Sequence, residues 1–256
     1  MVRGLYAANL GMITQMKRMD VVSNNVANVN STGYKRDGVA TQSFAEEFIK
    51  RLNDPGLQMY GGAVKLGKIT SGVFVDTVFT NFASGSVNAT GNALDLALMG
   101  DGFFAVEINT GSGVSEKYTR NGEFTLADGR LVTRDGAAVL GQNGAVTIPE
   151  GDITIDESGN IYSNGDYVDT LKLVDFEDRS TLRSIRDTMY ETTADSVFKD
   201  ASGTVCQSAL ESSNVNSARE MVDMITVNRA YEANQRSILT IDATLARTVN
   251  DLANKR

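Results

Sequence analysis

Apolar residues recur at intervals of seven near the start of the chain: Leu5, Met12, Met19 and Val26, with Ala8, Val22 and Val29 on the row three residues further on. Rows three and four apart share one side of a helix, so residues 1–30 are predicted to form an amphipathic helix with a coiled-coil-like seam. The other end repeats the pattern more cleanly, in Met224, Tyr231, Ile238, Leu245 and Leu252, with Val227 and Ile241 on the second row. A helix is expected over 216–256, with Ser213, Asn214 or Asn216 as N-cap and Glu220 at its positive end. Neither stripe can bury itself, and two terminal helices of this kind most simply pair with each other.

Between residues 84 and 190 the period changes. Short apolar runs are separated by Asn121-Gly122, Asp128-Gly129, Asp135-Gly136, Asn143-Gly144 and Asn164-Gly165. Such pairs supply the positive φ that tight hairpins need, and they predict an antiparallel meander, barrel-like in character. The expected fold is therefore α+β: paired N- and C-terminal coiled-coil-like helices (1–30 with 216–256) and a central all-β domain (84–190). Residues 31–83 and 191–215 are read as connecting segments, including the amphipathic "SFAEEFIKRL" and a Gly-rich stretch over 54–67.

One feature of the first helix does not follow from its apolar stripe. "SNNVANVNSTGYK" places Asn24, Asn25, Asn28 and Asn30 near its end, where asparagine is a poor helix former because its amide competes for backbone hydrogen bonds. The C-terminal helix likewise carries Asn228, Asn234 and Gln235 between its apolar rows. Amides beside a seam can bond to any neighbour without the cost of burying a charge, which suits helices packed among other helices.

Composition narrows the function. The chain of 256 residues has no histidine, which removes the usual general base near neutral pH and the commonest transition-metal ligand. Its single cysteine, Cys206, excludes an internal disulfide and a thiolate cluster. No enzyme activity, cofactor, metal or small-molecule substrate is expected. The calcium-loop pattern and the two common Gly-rich phosphate motifs are missing from the sequence. Net charge is −8 overall, yet residues 1–36 carry +4 and residues 211–256 are neutral, leaving −12 for the stretch between. An acidic centre argues against nucleic acid. No apolar run is long enough to span a bilayer, so no membrane insertion is expected, and the N-terminus lacks the order of a cleaved secretory signal.

"ANLGMITQMKRMDVVSNNVANVNSTGYKRD" resembles the N-terminal signature of flagellar rod and hook proteins, in which an Asn-Asn-x-Ala-Asn run, here Asn24 to Asn28, precedes a Thr-Gly-aromatic-Lys turn, here Thr32 to Lys35. "TGNALDLALMGDGFFAV" and "YTRNGEFTLADGRLVTRDGAAVLG" are similar to the family's central motifs. "LESSNVNSAREMVDMITVNRAYEANQRSILTIDATL" is similar to its C-terminal signature. Length and the compact β region point to basal-body rod proteins of the FlgF/FlgG type. The resemblance implies a structural rod subunit in the cell envelope that assembles helically with itself and other flagellar axial proteins. Its terminal helices would line a tube around the export channel, and the type III export apparatus would carry it out of the cytoplasm. The interface residues so implied are Leu5, Met12, Met19, Val22, Val26, Asn24, Asn25 and Asn28 on the first helix, and Met224, Tyr231, Asn234, Ile238, Ile241, Leu245 and Leu252 on the second, with the three N-terminal amides facing neighbouring helices. The competing reading is a secreted oligomeric adhesin or binding module on a coiled-coil stem.

Overall fold

The heptad stripes become two helices, α1 (Val2–Ala27) and α2 (Ser217–Ala253), at the two ends of a chain that is otherwise β-rich. The computed structural model describes residues 2–51, 64–70, 72–109, 113–186 and 188–253. Most of the Gly-rich stretch 54–67 lies outside them. The chain divides into two compact units, one of Met1–Asn24, Asp37–Phe79 and Ala218–Arg256, the other of Asn25–Arg36 and Thr80–Ser217.

In the first unit the helices are joined by two small sheets. Strand β1 (Asp37–Ser43) pairs β4 (Val73–Thr80), and β2 (Glu47–Arg51) pairs β3 (Val64–Ile69) antiparallel. Thr14 is buried in the middle of α1, where a β-branched polar residue would ordinarily be a liability. Its hydroxyl lies 2.9 Å from the Leu10 carbonyl and 3.1 Å from that of Val73, which resolves the problem. Two glycines of α1 sit against α2. A Cβ at Gly4 would stand 3.3 Å from Ile241 Cδ1, and one at Gly11 would stand 2.9 Å from Asn234 Nδ2. Phe44 and Phe74 stack at 4.8 Å, and Gly38 leaves room for the ring of Phe79.

The second unit holds the rest of the strands: β5 (Val87–Ala89), β6 (Leu96–Met99), β7 (Phe103–Asn109), β8 (Val114–Thr119), β9 (Phe124–Ala127), β10 (Arg130–Thr133), β11 (Ala138–Gly141), β12 (Gly144–Ala145), β13 (Ile153–Ile155), β14 (Asn160–Ser163) and β15 (Asp166–Thr170). After these come β16 (Leu173–Phe176), β17 (Arg183–Arg186), β18 (Met189–Glu191), β19 (Phe198–Asp200), β20 (Thr204–Gln207) and β21 (Ala209–Glu211). The main sheet runs β17-β18-β8-β7-β11-β10-β9, with β12, β16 and β19 as side branches. Smaller sheets are β13-β14-β15, β20-β6 and β21-β5.

Strand β7 organises this unit because both of its faces are buried. Phe104 and Val106 enter one apolar cluster with Leu98, Phe124, Leu131, Val139 and Ile161. Phe103 and Ala105, one residue out of phase, enter a second with Tyr118, Phe176 and Tyr190. That is the period of two expected of a strand between two packed layers. Within the second cluster the Phe103 ring meets Phe176 and Tyr190 at 5.8 Å each, in the tilted and edge-on geometry that aromatic rings favour.

The expected barrel-like closure does not occur. One edge of β7 pairs β8 from Phe104 to Asn109, but the opposite edge is divided: Val106 and Glu107 pair β11, whereas Phe103 and Phe104 pair β16. A sheet that forks at its central strand has two diverging branches and stays open.

The turn pairs behave as positive-φ chemistry requires at two sites. Asp128 and Gly129 (φ 51° and 76°) close the β9–β10 hairpin, and Asn164 and Gly165 (φ 52° and 91°) close β14–β15. Asn121-Gly122 is not a hairpin. A Cβ at Gly122 would lie 1.7 Å from the Leu96 carbonyl oxygen, so glycine is needed there for a close backbone crossing, and the Gly122 carbonyl accepts from Leu96 N–H at 3.0 Å.

Candidate functional site

Three charged side chains are sealed inside the second unit. Lys35, Arg120 and Glu211 are each 1% exposed. Lys35 Nζ donates to Glu211 Oε1 at 2.6 Å and to the Ala83 carbonyl at 3.0 Å. Arg120 Nη1 approaches Glu211 Oε2 and the Leu98 carbonyl at 3.5 Å, and Nη2 donates to the Gly100 carbonyl at 2.9 Å. Its guanidinium carbon lies 5.2 Å from the centre of the Phe103 ring. Gly85 N–H gives Glu211 Oε1 a further hydrogen bond of 2.8 Å.

Two cations thus share one carboxylate, and backbone carbonyls take further donors, while Arg120 Nε is buried without a hydrogen-bond partner. Burial pulls Lys35 below the ordinary lysine range while Glu211 pulls it back up, and burial likewise lowers Arg120. An isolated charge in such surroundings would be very costly, so both cations depend on Glu211, the more so because they repel each other.

Backbone geometry around the cluster is equally constrained. Gly33, at φ 67°, donates to the Glu211 carbonyl at 2.8 Å, and a Cβ there would lie 2.4 Å from the Arg120 carbonyl carbon. Gly85 would place a Cβ 1.9 Å from the Ser212 carbonyl oxygen. The Asn214 amide accepts from Arg36 N–H at 2.7 Å and donates to the carbonyls of Asn81 and Ala83 at 2.8 and 2.9 Å. Thr32 Oγ1 donates to Asn121 Oδ1 at 2.7 Å. The turn after α1, the segment before β5 and the segment around β21 are therefore stitched into a single polar joint.

Two of the signature asparagines belong to this region. Asn25 is fully buried and accepts from the Tyr34 hydroxyl at 3.0 Å, and Asn28 is buried and accepts from Ser31 Oγ at 3.0 Å. Their amides work inside the subunit, because the left-handed turn at Gly33 folds the chain back over the end of α1. Asn24 is exposed. Tyr34→Phe removes one of these bonds and is expected to lower stability by about 1 to 2 kcal/mol in a urea titration, with the native far-UV spectrum retained.

Of the predicted seam, Val22 is buried, while Leu5, Met12, Met19 and Val26 are half-buried. Met224, Tyr231, Asn234, Ile238, Ile241 and Leu245 are half-buried as well, and the Leu252 side chain lies outside the described residues. Between and beside these positions large apolar side chains stand exposed: Tyr6, Ile13 and Met16 on α1, and Met221, Val222, Ile225, Leu239 and Val249 on α2.

An open groove of about 610 Å³ borders the joint. It is lined by polar side chains, among them Asn28, Asn30, Thr32, Asn121, Arg134 and Arg186. Among the described residues no group of three or more His, Cys, Asp and Glu is placed to hold a metal ion, and no helix is long and apolar enough to cross a membrane.

Lys35, Arg120 and Glu211 come from the three stretches that carried the family resemblance, and known proteins match the same stretches. The description "Flagella basal body rod protein" fits residues 5–35, "Flagellar hook protein FlgE/F/G D1 domain" fits 97–163, and "Flagellar basal body rod FlgEFG protein C-terminal" fits 207–252. The flagellar basal-body rod protein FlgG of Agrobacterium fabrum is 34% identical over 255 residues, covering 94% of this chain and 96% of the relative. The chain belongs to the flagellar basal-body rod protein family.

The FlgG of Bacillus subtilis is 32% identical over 98% of this rod protein and 99% of its own length. The FlgF of Caulobacter vibrioides is 32% identical over 91% of each. This is a rod protein of the FlgF/FlgG type, a structural subunit of the flagellar basal body in the cell envelope. The relatives give no support to the adhesin reading. The residues that sequence reasoning overlooked are Lys35, Arg120 and Glu211, whose sequence neighbours give no sign of their burial.

Proposed function

We propose that this rod protein builds a helical shaft in which its terminal helices pair as a coiled coil and pack among the helices of neighbouring subunits. The observation that carries the reading is the set of large apolar side chains exposed on α1 and α2, since a helix that shows apolar residues outside its own seam is suited to burial among other helices. Coiled-coil pairing is supported by the two close approaches of α1 to α2. Gly4 and Gly11 are seven apart, and so are Ile241 and Asn234, in the opposite chain direction, as an antiparallel heptad contact requires.

The outer face of α2 is also less polar than its composition suggests. Thr226, Ser237, Thr240 and Thr248 donate their hydroxyl protons to carbonyls one turn back, and Thr244 to the Ile241 carbonyl. On this reading the seam positions and the exposed Asn24 lie at or beside helix contacts. Such heterologous contacts between copies do not close and so produce a filament. The shaft would transmit torque mechanically, enclose an export channel, join other flagellar axial proteins at its ends, and receive its subunits through the type III export apparatus. No catalytic chemistry is required of the subunit.

The test is a full-length chain carrying Ile13→Ser, Met16→Ser and Leu239→Ser. Sedimentation should find wild-type polymer and only monomer for the variant, with the thermal melt of the second unit unchanged. A variant that polymerises as well as wild type would overturn the reading.

A further inference from the structure

The second unit separates its charges along the chain. Residues 149–171 contain six carboxylates and neither lysine nor arginine, whereas residues 179–186 contain three arginines and no carboxylate. Arg179 is spoken for, pairing with Asp101 at 2.8 Å and with Asp175 at 3.0 Å. The other two, Arg183 and Arg186, lie on β17, the last strand of the main sheet, which pairs β18 and is exposed along its whole length; Arg183 stands opposite Glu191, a carboxylate it shares with Lys117. Ile185, between them, is 46% exposed.

The acidic stretch forms a margin with a matching layout. Asp152 and Asn164 exchange hydrogen bonds, Asn164 N–H to the Asp152 carbonyl at 2.9 Å and Asp152 N–H to Asn164 Oδ1 at 3.1 Å. This sets Asp152 beside the β14–β15 turn that leads into Asp166 and Tyr167. Both aspartates are exposed, and Tyr167 is 56% exposed. One margin thus offers two cations around an isoleucine, and the other two carboxylates around a tyrosine.

These margins lie on opposite sides of β7. On one side the ladder runs β8, β18, β17, three strand spacings of about 4.8 Å each. On the other side comes β11, to which the acidic sheet is tied by the Gly141–Leu171 bridge and by Gln142 N–H donating to the Thr170 carbonyl at 2.9 Å. Among the described residues no ion pair joins the two margins. A β-bulge interrupts β17 between Ser184 and Arg186, which hinders simple strand addition, so side chains rather than backbone must make any contact there. Arginines that served only to ward off strand pairing would need no apolar residue between them.

We propose that the Arg183–Ile185–Arg186 margin of one copy docks on the Asp152–Asp166–Tyr167 margin of a second copy of this chain, as a head-to-tail lateral contact between β units. The inference rests on the assembly reading above and adds a second, electrostatic interface to the helical one. Because the two patches differ, the contact is heterologous and propagates beyond a dimer. Because its charges are exposed, it weakens as salt is added.

Two measurements on the full chain test it. In low salt, Arg183→Glu with Arg186→Glu should weaken self-association by about ten-fold, and Asp152→Arg with Asp166→Arg in the same chain should restore it. All variants should keep a cooperative thermal melt, those with Arg183→Glu slightly below wild type because that side chain faces Glu191. In a Cys206→Ser background, Ile185→Cys combined with Tyr167→Cys should give an oxidised ladder longer than dimer, while neither cysteine alone gives one. Unchanged association after charge reversal, or a double-cysteine chain that forms no ladder, overturns the proposal. If charge reversal is silent while the helix-stripe variant abolishes association, this contact fails alone; if the wild-type chain does not associate at all, the assembly reading fails with it.

Discussion

Glu211→Ala is expected to cost about 3 to 5 kcal/mol, because it leaves Lys35 and Arg120 buried without the one carboxylate that contacts them. The loss would be read from the urea midpoint of the second unit, followed by near-UV circular dichroism of its tyrosines. The pH dependence identifies the cause. Lys35 already titrates below its ordinary value of 10.5 in the folded protein, through burial first. Between its folded and unfolded pKa values the unfolded chain therefore binds more protons, so this group makes stability rise with pH across that window. Without Glu211 the folded pKa drops further and the window widens downward. Part of the deficit should return as the pH is raised towards 10.5, and only part, because Arg120 stays charged throughout. A variant whose deficit is the same at every pH would show that lost packing, not the uncompensated charge, is responsible.

Gly33→Ala is expected to be of comparable size, about 3 kcal/mol. A left-handed φ of 67° costs an L-residue about 1 to 2 kcal/mol. The added methyl would also fall 2.4 Å from both the Arg120 carbonyl carbon and the Asn121 nitrogen, which are backbone atoms that no rotamer change can move. Relief requires the turn to lift away, which breaks the Gly33 N–H bond to the Glu211 carbonyl and pulls on Lys35. Gly136→Ala provides the control. Gly136 has φ 81° but no neighbour within 4 Å of its would-be Cβ, so it should show the conformational penalty alone. Equal losses at both positions in the same denaturation assay would refute the steric part of the argument.

What could be read from the sequence was whatever depends on neighbours close along the chain. The helices followed from a seven-residue recurrence that a helix turns into one stripe. The Asp128-Gly129 and Asn164-Gly165 hairpins followed from the φ preferences of two adjacent residues. Asn121-Gly122 misled because its glycine answers to Leu96, 26 residues away, and nothing local distinguishes a turn from a close crossing. The open sheet was hidden for a similar reason, since only pairing reveals that β7 divides one edge between β11 and β16. The buried charges were the least legible. A lysine after a Thr-Gly-Tyr turn reads as an exposed residue until its carboxylate is known, and that partner is 176 positions away. Asn25 and Asn28 illustrate the same gap: their density was noticed, but not that Tyr34 and Ser31 would claim them from nine and three residues downstream.

That separation also sets a timetable. A chain emerging end-first from a ribosome, or threaded through a narrow conduit, delivers Lys35 early and must wait for most of its length before Glu211 follows. Until then the β unit lacks its central carboxylate and the last strands of its sheets, and contacts this distant in sequence form slowly in any case. A chain that has not yet delivered Glu211 therefore cannot complete the β unit, however much of the sheet precedes it.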